Sequence, residues 1–181
     1  MKKLVTLLLV VLGLSIQMTT INAQVAVVDL DAVARELGVL KHIEVTMSNL
    51  KFDEEEKLKD TQQKLAAQMK AAMEKAGKDP DKEKQQQIAI TNRELQVQFQ
   101  QAQVEATKRF QQKRLEMINE FRQEVKPLAL KVAKEKDLNV ILIKTMPPVY
   151  AFDKSIDITG DLVEEAKKAK MTRTAPALKN K

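Results

Sequence analysis

The sequence predicts an α+β protein that is mostly helical, with a small β-rich body and one long antiparallel helical hairpin. Three observations carry this expectation. Charged residues make up 31% of the 181 residues and aromatics only 3%, which favours long solvated helices over a thick sandwich or barrel core. Four glycines in the whole chain leave few tight turns, which argues against a many-stranded protein. Two short aliphatic runs, Val25–Leu30 and Leu138–Ile143, bracket a stretch of roughly a hundred residues with helical periodicity.

The chain begins with Met1-Lys2-Lys3, then an apolar run from Leu4 to Ile16, then a more polar stretch ending at Ala23. This is the three-part layout of a secretory signal peptide. Residues 1–23 are therefore expected to be removed after Ala23, which places the mature chain outside the cytoplasm. An uncleaved signal-anchor is the alternative, although a bilayer span takes roughly 20 apolar residues and this run is shorter. With no cysteine in the chain, disulfides, thiolate catalysis and thiolate zinc sites are excluded.

Residues 24–30 are rich in valine and read as a strand. Asp31 is the expected cap of the helix that follows, and Gly38 predicts a bend. From Leu40 to Ala76 the stripe runs Met47, Leu50, Glu54, Leu58, Thr61, Leu65, Met69, Ala72, Ala76. From Asp81 to Lys136 it runs Ile88, Thr91, Leu95, Phe99, Ala102, Ala106, Phe110, Lys113, Met117, Phe121, Val125, Leu128, Val132. Both advance by threes and fours, averaging near 3.65 residues per turn, which is closer to an eleven-residue repeat than to heptads. Residues 77–81 form the expected tip, with Asp79 capping the return helix and Pro80 at its first position. Two long helices joined so tightly run antiparallel. Pro127 is expected to kink or break the second one near Glu124–Lys126.

Leu138–Lys144 predicts a second strand and Val149–Asp153 a third. A last helix over about Gly160–Lys170 is expected with Thr159 as its cap. The resulting plan is a discontinuous body at 24–39 and 128–170, an arm at 40–127 and a flexible basic tail at 171–181.

The seam is thin, because Glu54, Thr61, Thr91 and Lys113 interrupt it and alanine fills several positions. A body of roughly 55 residues is also too small for a generous core. Oligomerisation through sheet edges is the physical remedy.

Chemistry is nearly absent. His42 stands alone on a polar helix, and Ser48 and Ser155 lie in no nucleophile pattern. No Gly-rich phosphate loop and no metal-ligand spacing occurs, so no catalytic residue, metal or cofactor is expected. Asp53-Glu54-Glu55-Glu56 reads as a solvated acidic turn, since consecutive carboxylates point around a helix.

The formal net charge is +6. After residue 23 the excess lies wholly beyond Val163, and residues 24–163 balance at zero. That distribution argues against a specific nucleic-acid binder. Lys108, Arg109, Lys113 and Arg114 form a compact basic group and are candidates for anionic lipid headgroups. Phe52, Met69, Met73, Phe99 and Phe110 are candidates for an adaptable apolar contact surface, with hairpin seam as the competing role.

Taken together, the chain resembles the Skp, or OmpH-like, family of periplasmic chaperones. The resemblance rests on Val25-Ala26-Val27-Val28-Asp29-Leu30 after the leader and on the Gln-rich hairpin with its Gly77–Asp81 tip. It rests most on Leu138-Asn139-Val140-Ile141-Leu142, Val149-Tyr150-Ala151 and Asp157-Ile158-Thr159-Gly160-Asp161-Leu162-Val163. It implies a homotrimer whose arms enclose a cavity, and an ATP-independent holdase for unfolded outer-membrane β-barrel proteins. It carries over no catalytic residue. Pro147-Pro148, Pro127 and the basic tail depart from the pattern. Two other classes compete: a coiled-coil tether of the cell envelope and a nucleic-acid binder.

Overall fold

The computed structural model describes residues 24–179. The leader expected at 1–23 lies outside the described residues.

The chain runs through β1 (Val25–Val28), α1 (Leu30–Glu36), α2 (Val39–Ala76), α3 (Lys82–Glu135), β2 (Val140–Ile143), one 3-10 turn (Lys154–Ile156) and α4 (Thr159–Lys168). The architecture is α+β and mostly helical, with a hairpin arm of 38 and 54 residues. At 1.5 Å per residue these helices are about 57 Å and 81 Å long.

β1 and β2 pair in parallel, with Val25 opposite Val140 and Val28 opposite Ile143. The whole hairpin is thus the crossover between two adjacent strands. On the other edge of β1, Val27 bridges Asp157, and the Ile158 N–H donates to the Val27 carbonyl at 2.9 Å. Residues 149–153 form no strand, and Tyr150 is fully exposed. The expected third strand is therefore corrected. Asp157–Ile158 takes the second edge of β1, and residues 149–153 pair with neither strand.

The core lies where the sheet, α1, the last turns of α3 and α4 meet. Ala26, Val33, Ile158, Leu162 and Ala166 are fully buried, and Val125, Ala129 and Val132 face them from α3. α3 runs on through Pro127 to Glu135, so the expected break does not occur. The buried residues on both sides of Pro127 hold those turns against the core.

Capping differs in detail from the expectation. Asp29, not Asp31, caps α1, its carboxylate accepting from the Ala32 N–H at 2.9 Å. The Thr159 hydroxyl accepts from the Asp29 N–H at 2.9 Å, which ties the start of α1 to the start of α4. At the tip Asp81, not Asp79, is the cap and accepts from the Lys84 N–H. Both corrections move a cap by two residues between aspartates, and periodicity does not choose between them; at α4 the cap is Ile158, with no side-chain cap bond, and Thr159, expected as the cap, is the first helical residue.

Residues 171–179 have no helix or strand, yet they are not a free tail. The Arg173 N–H donates to the Leu37 carbonyl at 2.8 Å, and the segment lies along α2.

Candidate client-contact surface

The seam between α2 and α3 follows the predicted stripes closely. Along the projecting part of α3, Leu95, Ala106 and Met117 are the buried positions, spaced by eleven residues. Eleven residues complete three turns, so these helices lie side by side without heptad supercoiling. Between the buried points the seam is only half closed. Leu65, Met69, Leu95 and Phe99 line an open cleft of about 430 Å³. Alanine and threonine at neighbouring seam positions are too short to fill it. A second recess of about 210 Å³ opens near the tip, against Ala72, Ala76, Ile88 and Thr91.

One seam position is polar by design of the packing. Glu54, expected in a solvated acidic turn, is instead only 5% exposed. Its Oε2 accepts from Arg109 Nη2 at 2.7 Å and Nε at 3.1 Å, and its Oε1 accepts from Lys57 Nζ at 2.9 Å. Arg109 also reaches Glu105. The Arg109 guanidinium, with Lys57 behind it, holds the Glu54 carboxyl below its ordinary value. Removing one partner of such a pair costs more than replacing the buried charge by an apolar side chain. Arg109→Ala is expected to melt several degrees below the parent, whereas Glu54→Leu holds or raises the melting temperature. Thermal scans of the two variants check this.

The same pair sets a pH dependence. A carboxyl whose folded pKa is lowered stabilises the fold above its unfolded value and loses that contribution as pH falls through the folded one. Glu165, held down by Lys131 and Lys168, and Asp29, held down by the Ala32 N–H and Lys144, act in the same direction. The melting temperature is expected to stay level from pH 7 to about 5 and to fall below about pH 4.5. Glu54→Gln is expected to flatten that fall.

The candidate residues separate into groups. Met69 and Phe99 line the same cleft from α2 and α3. Phe110 is half-buried further down the seam. Met73 is exposed, and Phe52 lines a shallow recess with Glu55, Glu56 and Lys59 on the side of α2. The basic group does not present four free cations. Arg109 is committed to Glu54, and Lys113 pairs with Glu116 at 3.1 Å. Among the described residues Lys108 and Arg114 take part in no ion pair.

Sequence reasoning missed a second surface. Ile90, Val97, Val104 and Leu115 on α3 are 45–66% exposed. Their spacings of seven, seven and eleven place them within an arc of about 40°, opposite the seam. Between seam and stripe lie Gln96, Gln100, Gln103, Thr107 and Gln111, a flank with no charge. Gln100 and Gln103 line both the seam cleft and an adjoining recess of about 510 Å³ that holds Val104 and Lys108. Cleft, amide flank and apolar stripe are therefore continuous. A second apolar periodicity in α3, offset from the first by half a turn, was the available signal.

Residues 24–165 match the profile of the family described as outer membrane protein (OmpH-like). The chain belongs to the OmpH-like family. That family consists of periplasmic chaperones of outer-membrane proteins, not enzymes. No curated protein matches the chain. The OmpH-like match spans the body and the entire arm and stops inside α4, so the segment laid along α2 falls beyond it.

Proposed function

We propose that this chain is an ATP-independent holdase that keeps unfolded outer-membrane β-barrel proteins from aggregating in the periplasm. The observation that carries the reading is the continuous amide and apolar surface on the arm, from Met69 and Phe99 through the glutamine flank to Val104, with Lys108 lining its outer recess. In a chain with 31% charged residues, such a surface is otherwise costly to leave open. Apolar side chains of an unfolded client meet the cleft and stripe, while its backbone meets side-chain amides able to donate and accept. Each contact is weak, and retention comes from many of them acting together. Release follows when the client folds into the bilayer.

The same reading includes a homotrimer with its arms around a central cavity. β2 supports it: four consecutive aliphatic residues, Val140–Ile143, stay only partly covered in one chain. Such an edge is normally paired or protected. Lys108 and Arg114 remain as cations able to face an anionic membrane surface.

The test dilutes a urea-denatured β-barrel protein into buffer with residues 24–181, with and without ATP. The barrel is expected to stay in the supernatant, equally well without ATP. A coiled-coil tether would leave it to pellet.

A further inference from the structure

The segment after α4 is fastened along α2 at regular intervals. Gly38, at φ +72°, sits under it, and a Cβ there would collide with the Arg173 carbonyl oxygen. Arg173 Nη2 grips both Glu124 oxygens on α3, at 2.7 and 2.6 Å. His42 Nδ1 lies 3.0 Å from the Thr174 carbonyl. Asn49 holds the backbone twice, its Nδ2 donating to the Ala177 carbonyl and its Oδ1 accepting from the Lys179 N–H, both at 2.8 Å. Lys179 Nζ reaches both Asp53 oxygens at 2.6 and 2.7 Å. Burial alternates along Met171–Ala175, as in an extended chain.

The lengths agree. Six residue steps from Arg173 to Lys179 span about 20 Å when extended. Fifteen helical steps from Gly38 to Asp53 span about 22 Å. The chain therefore runs straight along the helix with little slack, in the same direction. Asn49 recognises backbone, and Glu124 and Asp53 recognise the two cations at the segment's ends. We infer that α2 carries a docking site for an extended basic segment, filled by residues 173–179 of the same chain, and that this strap braces the arm where it leaves the body.

The brace has a physical logic. α2 leaves the body through the Leu37–Gly38 turn, and α3 enters it near Glu124. The strap joins both points to a third, fifteen residues up α2. If the arm holds clients, as proposed above, the strap limits how far it can swing outward.

The test measures the arm itself and needs no client. The chain has no cysteine, so Lys78→Cys at the tip and Lys154→Cys in the body accept spin labels without competition. Labelled chains are diluted into excess unlabelled protein, and tip-to-body distances are measured by electron-electron resonance. Three backgrounds are compared: the full mature chain, a chain ending at Thr172, and the Asn49→Ala/Asp53→Ala pair. Ending at Thr172 keeps Met171, which packs on the core. The distance distribution is expected to broaden about twofold in both altered backgrounds. Adding a peptide of residues 173–181 to the shortened chain is expected to narrow it again. Equal widths in the full and shortened chains would overturn the brace. Broadening on truncation alone, with the Asn49/Asp53 pair unchanged, would overturn the α2 docking site. Failure of the full mature chain to keep a barrel protein soluble in the dilution assay, with its distances narrow here, would count against the holdase reading and leave the strap standing.

Discussion

Replacing Val97, Val104 and Leu115 together by aspartate is expected to abolish retention of an unfolded barrel protein and to leave the thermal transition in place. All three side chains are exposed and belong to neither the seam nor the core. Surface substitutions of this kind change stability by about 0.5 kcal/mol or less. Their effect on a client is different. Each aspartate puts a charge where an apolar segment must lie, and a bound apolar segment cannot solvate it. Because retention sums weak contacts along the arm, three such losses reduce affinity by two orders of magnitude or more, roughly. Pelleting assays with the triple variant, beside a control carrying three aspartates at the exposed neutral positions Gln63, Ala67 and Ala71 on α2, measure the effect. Equal retention by both variants would remove the α3 surface from the account.

The second large effect lies in the body. Leu162 is fully buried where α4 meets β1, α1 and the end of α3. Leu162→Ala removes its contacts and leaves a cavity in a small core, at a cost of about 3 kcal/mol. A loss of that size lowers the melting temperature by on the order of 10 °C. The arm falls with it, because Val125, Ala129 and Val132 root α3 in the same core. Circular dichroism, which reports mainly the arm helices, is therefore expected to show one shifted transition. Arm helicity that survives loss of the body would contradict this coupling.

Some of this was legible in the residues alone, and the reason is periodicity. Every seam position read from the two stripes is buried or half-buried, because a helix pair demands a repeating apolar face and little else. The strands bordering the hairpin were legible as short aliphatic runs. The third strand was not. Val149–Asp153 has the composition of a strand, but composition does not supply a partner: Asp157–Ile158 takes the edge of β1, and the outer edge of β2 stays open in the single chain.

Glu54 and Arg109 show the same limit on the arm. One reads as a fault in the stripe and the other as a free cation. They are halves of one pair, 55 residues apart, and only the register of the hairpin brings them together. The strap was invisible for a related reason. Residues 171–179 have no pattern of their own, and what fastens them is supplied by His42, Asn49 and Asp53 on α2 and Glu124 on α3. The outer stripe of α3 was overlooked because four well-spaced residues do not form a run.

The central claim is that an oligomer of these arms holds an unfolded barrel protein in solution. It is tested most directly by light scattering coupled to size exclusion on residues 24–181, alone and after dilution of a urea-denatured barrel protein into the sample. The account predicts three times the single-chain mass for the protein alone, and a discrete, heavier complex containing the barrel. A stable oligomer that elutes unchanged while the barrel aggregates would contradict it and favour a structural tether.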